Sequence, residues 1–203
     1  MKIFVAVFLL AFPVLSSCAT PKNEANHLKT FVSPDGAFQF KYPLILSRCS
    51  QVDEPEDRWE PPGACEGQQT VCDDDDESTS TLVCLGYPEE EAAFAVAEVK
   101  QAKTEAVCMR GPDDWPMKLH GIRTIHGVRF KVFEVSTAWT SGGLNGELYR
   151  TFHLNKCYEL GIRRIRSSAR DEDSGKMTGP TNEDAKRVGN CLEEPLKSFR
   201  FLN

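Results

Sequence analysis

The 203-residue sequence lacks the short motifs that mark common chemistries. It has no Gly-x-Ser-x-Gly elbow, no His-Glu-x-x-His, no P-loop and no Gly-x-Gly-x-x-Gly, so it points to no catalytic residue and no cofactor. It has no Cys-x-x-Cys, which removes a zinc ribbon or a thioredoxin-like redox pair. Histidines are few: His27, His120, His126 and His153. A metal centre needs imidazole converging with carboxylate or thiolate ligands. Nothing in the spacing brings His120 and His153 together, so no metal site is expected. Basic surplus is absent too. The formal net charge is −6, which argues against nucleic-acid binding and gives no electrostatic reason to sit on anionic lipid. There are no internal repeats. The N-terminal apolar run, Ile3 to Leu15, is too short to span a bilayer, which takes about 20 residues.

That run has instead the length of a signal-peptide apolar region, behind a positive start at Lys2. Leu15-Ser16-Ser17-Cys18 follows and resembles the lipobox of bacterial lipoproteins. The resemblance implies removal of residues 1–17 and a diacylglycerol thioether on Cys18, which would anchor the chain to the membrane. The alternative is ordinary signal-peptidase cleavage at the small-x-small site Ser17-Cys18-Ala19, giving a soluble periplasmic or secreted product. Residues 18–30 read as the lipidated cysteine and a polar tether, and 31–203 as a single domain. Eight cysteines, at 18, 49, 65, 72, 84, 108, 157 and 191, suit an exported chain, because an oxidising compartment lets them pair. The expected bridges are Cys49–Cys84 at the base of an irregular loop, Cys65–Cys72 at its tip, and Cys108–Cys157. Cys191, beside an apolar helical stripe, is expected to stay an inert buried thiol.

Along the domain, Phe31 to Ser33 reads as a strand and Pro34-Asp35-Gly36 as a tight turn. Phe38, Phe40 and Tyr42 alternate with polar residues as a half-buried strand. Leu44 to Ser50 suggests a bend and another strand. Gln51 to Thr79 is aperiodic, rich in Pro and Gly, and ends in the acidic run Asp73 to Glu77. That run fails the EF-hand pattern and reads as a solvated loop. Thr81 to Tyr87 and Ala92 to Val99 read as strands, the second central. Lys103 to Met109 reads as a short helix. Hairpins are expected at Ile122–Val135, turning at His126-Gly127, and at Leu148–Ile165, turning at Asn155-Lys156. Gly142, Gly143 and Gly146 read as a flexible loop, and Arg163, Arg164, Arg166 and Arg170 as a charged edge strand. After a polar loop from Ser167 to Pro180, Thr181 caps a helix with Asp184 three residues on. Its apolar stripe is Ala185, Val188, Leu192, Leu196 and Phe199, and Pro195 is expected to kink it or start a fresh turn. The fold class is α+β: an antiparallel sheet of six or more strands carrying a short and a long C-terminal helix.

Three stretches, Ser33-Pro34-Asp35-Gly36, Phe38-x-Phe40-x-Tyr42-Pro43 and the closing Leu196-x-Ser198-Phe199-x-Phe201, resemble the PsbP/Mog1-like fold. That resemblance covers most of the chain after residue 30 and implies binding or assembly rather than catalysis. It carries no binding residues over, because the cysteine-rich stretch from 49 to 84 departs from plainer members. The function expected is a non-catalytic binding or assembly module tethered in the cell envelope, with a protein partner there. The alternative is an envelope hydrolase whose site is assembled from scattered residues. The surface expected to bind is the 51–79 loop, through Trp59, Pro61 and Pro62.

Overall fold

The computed structural model describes residues 27–49, 72, 78–87, 91–110, 117–139, 142–167, 169–170, 177–178 and 181–202. Two sheets and a long helix enclose one core. The larger sheet has seven antiparallel strands in the order β3-β4-β5-β9-β8-β7-β6. These are β3 (Ser47–Cys49), β4 (Thr79–Gly86), β5 (Ala92–Val99), β6 (Met117–Ile125), β7 (Val128–Trp139), β8 (Gly142–His153) and β9 (Lys156–Ser167). The smaller sheet joins β1 (Leu28–Val32), β2 (Phe38–Pro43) and β12 (Arg200–Phe201) in the order β1-β2-β12. A minor pair, β10 (Ala169–Arg170) with β11 (Met177–Thr178), interrupts the polar loop. The helices described along their length are α1 (Glu105–Cys108) and α2 (Asn182–Ser198). The α+β antiparallel architecture is thus as the sequence indicates.

Aromatic alternation builds the core. In β2, Phe38 and Phe40 face inward, each 1 % exposed; Phe40 stacks on Phe31 and Phe38 on Phe199, and Phe40 meets Phe94 edge to face. The stripe of α2 meets them: Val188, Leu192 and Leu196 are fully buried. Each such side chain contributes about 1.5–3 kcal/mol by leaving water. The helix starts as its sequence specifies, with Thr181 and Asp184 in a reciprocal capping box. It runs on through Pro195 to Ser198, so no fresh turn starts there. At its end Ser198 ties to β2: its Oγ accepts from the Lys41 amide at 2.8 Å.

Tight turns set the hairpins. His126 and Gly127 both have positive φ (45° and 83°), as a two-residue turn of the primed type needs. The second hairpin turns at Leu154 and Asn155 (φ 47° and 63°), one residue before the expected Asn155-Lys156. Pairing of His153 with Lys156 leaves the exposed Leu154 inside the turn.

Four expectations are corrected by the tertiary arrangement. First, β1 begins at Leu28, inside the stretch taken as tether, because pairing with Pro43 extends it. Second, Gly142, Gly143 and Gly146 lie within β8. A Cβ at Gly146 would stand 2.3 Å from the Ile162 carbonyl oxygen, so the glycine permits close approach of β8 to β9. Third, β9 is interior, between β5 and β8, so Arg163 and Arg164 do not guard an edge. Arg163 lies 3.8 Å from Glu159, and Arg164 donates to the Ala185 carbonyl at 3.0 Å. Fourth, the cysteines pair differently. Cys72 is bonded to Cys84, which excludes Cys49–Cys84 and Cys65–Cys72. Cys49 sits directly opposite Cys84 in the β3–β4 register, yet the sulfur of Cys84 goes to Cys72. Cys191 is not a free thiol: it and Cys49 are both disulfide-bonded. Cys108 and Cys157 are bonded to each other, the pairing expected.

Candidate functional site

The seven-stranded sheet presents two faces because side chains alternate along each strand. One face carries Phe94, Val96, Leu160, Ile162, Tyr149 and Phe130 into the main core. The other holds smaller apolar clusters, Phe133 with Val135 and Leu148, and Cys108 with Cys157 and Val99. It also holds a buried ion pair, Arg150 Nε to Glu159 Oε2 at 2.6 Å.

On the core-facing side, beyond the apolar rows, polar side chains take over and a cleft opens. Its volume is about 340 Å³. Strands β7 and β8 supply Glu134, Asn145 and Glu147, β9 supplies Ile162 and Arg164, and α2 supplies Glu193. His120 of β6 completes it, and its position has a local cause. The β6–β7 register jumps between Leu119 and Gly121, which leaves His120 as the extra residue of a bulge. Bulges re-aim a side chain out of the strand's alternation.

The electrostatics of the cleft are negative. Glu134 and Glu147 are directly opposite each other across β7 and β8. Like charges in that relation cost energy. Neighbours hold the carboxylates in place. Tyr149 donates its hydroxyl to Glu147 Oε2 and accepts from Arg123 Nη1 at 3.3 Å. Burial, reinforced by the Glu147 carboxylate, pushes the Tyr149 phenol well above its ordinary range, so it stays protonated. Glu193 pairs with Lys197 at 2.9 Å, one turn along α2. Lys118 lies opposite Glu134 on β6. The guanidinium of Arg164 lies against Gly189, where a Cβ would come within 2.4 Å of Nη2. Each carboxylate thus has a cation nearby, while the lining itself holds three carboxylates to one guanidinium, that of Arg164. Among the described residues, no set of three or more His, Cys, Asp or Glu side chains is placed to hold a metal ion.

His120 and His153 do not share a site. His120 is in the cleft, whereas the ring of His153 stacks on Phe201 with centroids 3.9 Å apart. His126 caps the end of α2, its Nε2 lying 3.0 Å from the Lys197 carbonyl oxygen. Trp59, Pro61, Pro62, the acidic run 73–77, Cys18 and Cys65 lie outside the described residues, as do most of 51–79. Sequence reasoning missed the cleft. Its one signal was the polar series Glu134-x-Ser136 and Asn145-x-Glu147, on strands whose same-face neighbours Val132 and Tyr149 are core residues.

No protein-family model matches the chain, and no curated protein matches it in sequence. Solved structures similar to it include Mog1 and PsbP proteins. Cyanobacterial PsbP (CyanoP) from Synechocystis sp. PCC 6803 has a TM-score of 0.40 at 13% identity, over 92% of this chain and 98% of that one. The Saccharomyces cerevisiae Ran-binding protein Mog1p has a TM-score of 0.37 at 10% identity, over 87% and 96%. A protein of Bacteroides thetaiotaomicron VPI-5482 has a TM-score of 0.46 at 12% identity, over 86% of this chain and 48% of that one. The chain thus spans about half the length of the Bacteroides protein. Among the described residues, no helix is long and apolar enough to cross a membrane.

Proposed function

We propose that this chain is an exported, non-catalytic binding or assembly module that captures a protein partner in the cell envelope and is held at the membrane through Cys18. The observation that carries the binding role is the cleft between β6–β9 and α2. Its carboxylates are oriented by Tyr149, Arg123 and Lys197 before any ligand arrives, and a preorganised surface loses little entropy on docking. The negative lining selects a partner that presents positive charge and rejects one that presents negative charge. Two described disulfides, Cys72–Cys84 and Cys108–Cys157, support export, since such bonds persist in oxidising compartments.

The test is cross-linked capture from isolated envelopes by the full chain and by a Glu134→Lys/Glu147→Lys variant. Capture by the wild type and its loss in a variant that still unfolds cooperatively is the expected result. Equal capture by both removes the cleft from the reading. Hydrolysis of an ester, peptide or glycan by the purified chain, abolished by one cleft substitution, replaces the binding role with the hydrolase. Anchoring has its own measurement. A thioether on Cys18 occupies its sulfur and bars it from any disulfide. Intact mass of the membrane-extracted protein decides. An acyl mass on Cys18 supports the anchor, and a Cys18 found in a disulfide or cleaved away ends it.

A further inference from the structure

We propose that the outer face of the three-stranded sheet β1-β2-β12 rests on anionic lipid headgroups, a proposal that depends on the anchor at Cys18. The register puts Leu28, Thr30 and Val32 of β1 beside Pro43, Lys41 and Gln39 of β2, with Arg200 of β12 beyond Gln39. Phe31, Phe38 and Phe40 alternate with these and point into the core, so Leu28, Thr30, Val32, Lys41 and Arg200 face outward, while Pro43 at the strand end is buried. The outer face carries exposed apolar side chains: Leu28 is 45 % exposed, Val32 49 % and Leu202, next to β12, 41 %. The outward set carries two cations, Lys41 and Arg200, and no carboxylate, whereas Lys29 takes the parity of Phe31, opposite Tyr42. Asp35 lies in the β1–β2 turn, at the end of the hairpin, where its carboxylate is hydrogen-bonded to the Ala37 amide.

The chain as a whole is acidic, at −6, and net charge alone disfavours an anionic surface. Distribution decides otherwise, because a lipid surface senses charges within a Debye length, about 8 Å at physiological salt. Over that distance this face is cationic and apolar, the combination that binds at a headgroup boundary. Chain length brings it there. Leu28 follows Cys18 by ten residues, at most roughly 36 Å of extended chain, and β1 is the first strand among the described residues. A tether that short makes docking intramolecular, so a few weak contacts suffice.

The full acylated chain is reconstituted in vesicles of phosphatidylcholine alone and of phosphatidylcholine with 30 % phosphatidylglycerol. Exposed lysines are acetylated briefly and read by mass spectrometry, with Lys186 on the exposed side of α2 as internal reference. Each cation on the face should favour docking about fivefold, the equivalent of roughly 1 kcal/mol. Lys41 labelling should therefore fall severalfold on the anionic vesicles at low salt and recover at 0.5 M salt, while Lys186 stays constant. Arg200→Glu should restore Lys41 labelling without added salt. Equal Lys41 labelling on both vesicles, in a chain whose mass shows the acyl group, overturns the docking alone. A chain without acyl mass overturns the anchor and the docking with it.

Discussion

Removing one partner of the Arg150–Glu159 pair should destabilise the domain strongly, and the two partners should not cost the same. The pair is 2.6 Å apart with side chains only 6 % and 5 % exposed. Breaking such a pair typically costs about 3–5 kcal/mol, because the survivor is a buried charge without its counterion. The surroundings break the symmetry. Glu159 has a second cation within reach, Arg163 at 3.8 Å. Arg150 has Lys131 directly across the β7–β8 register, a like charge whose Nζ is bonded to the Met109 carbonyl oxygen. Arg150→Met therefore leaves a carboxylate that still faces Arg163, and falls near the lower bound, about 3 kcal/mol. Glu159→Gln leaves the buried Arg150 guanidinium beside Lys131 without its counterion, and falls near the upper, about 5 kcal/mol. At about 2–4 °C per kcal/mol for a domain of this size, the melting point drops roughly 6–12 °C and 10–20 °C. The joint replacement Arg150→Met/Glu159→Leu removes both charges and should recover to within about 1 kcal/mol of the parent. Urea unfolding under oxidising conditions, with the slope checked for constancy, measures all three. Single variants that each cost under about 1 kcal/mol would refute the reasoning, as would a joint variant no better than the worse single one.

The Cys108–Cys157 bridge closes a separation of 49 residues, worth about 4 kcal/mol in the chain-entropy treatment. Cys108→Ala/Cys157→Ala should lose that much in urea unfolding, and non-reducing peptide mapping should show Cys72 joined to Cys84 and not to Cys65. Gly146→Ala should cost more than the roughly 1 kcal/mol typical of a point substitution, because its Cβ meets the Ile162 carbonyl oxygen at 2.3 Å; a melting point unchanged within 2 °C would contradict that packing. Hydrogen bonding from Thr181 holds Asp184 below its ordinary 3.8, and bonds from Ser33 and Ala37 do the same for Asp35. A depressed carboxylate stabilises the fold above its unfolded pKa and loses that contribution as pH falls through the folded one. Thr181→Ala should therefore shrink the stability lost below about pH 4, measured as the parent-minus-variant difference at pH 6 and pH 2.5. Deleting residues 53–64 should leave the domain folded, and if Trp59, Pro61 and Pro62 contribute to capture, cross-linked yield should fall; an unchanged yield removes that loop from the binding surface.

Local pattern determined much of this protein. Period-two alternation in Phe38-x-Phe40-x-Tyr42, the 3.6-period stripe from Val188 to Phe199, the Thr181–Asp184 cap and the His126-Gly127 turn each rest on neighbours a few residues away. That is why strands, helices and the α+β class were legible from residues alone. Features that depend on which strand lies beside which were not. Gly146 reads as loop until β9 comes within 2.3 Å of where its side chain would be. Arg163 and Arg164 read as edge charges until β5 and β8 enclose their strand. Cys84 stands nearest to Cys49 by register yet bonds to Cys72, since bridge geometry depends on where the Cβ vectors point, not on spacing in the chain. The cleft belongs to the same category. Glu134, Glu147, Arg164 and Glu193 come from four elements up to 59 positions apart, and only the antiparallel register of β7, β8 and β9, with α2 laid against the sheet, gathers them in one place.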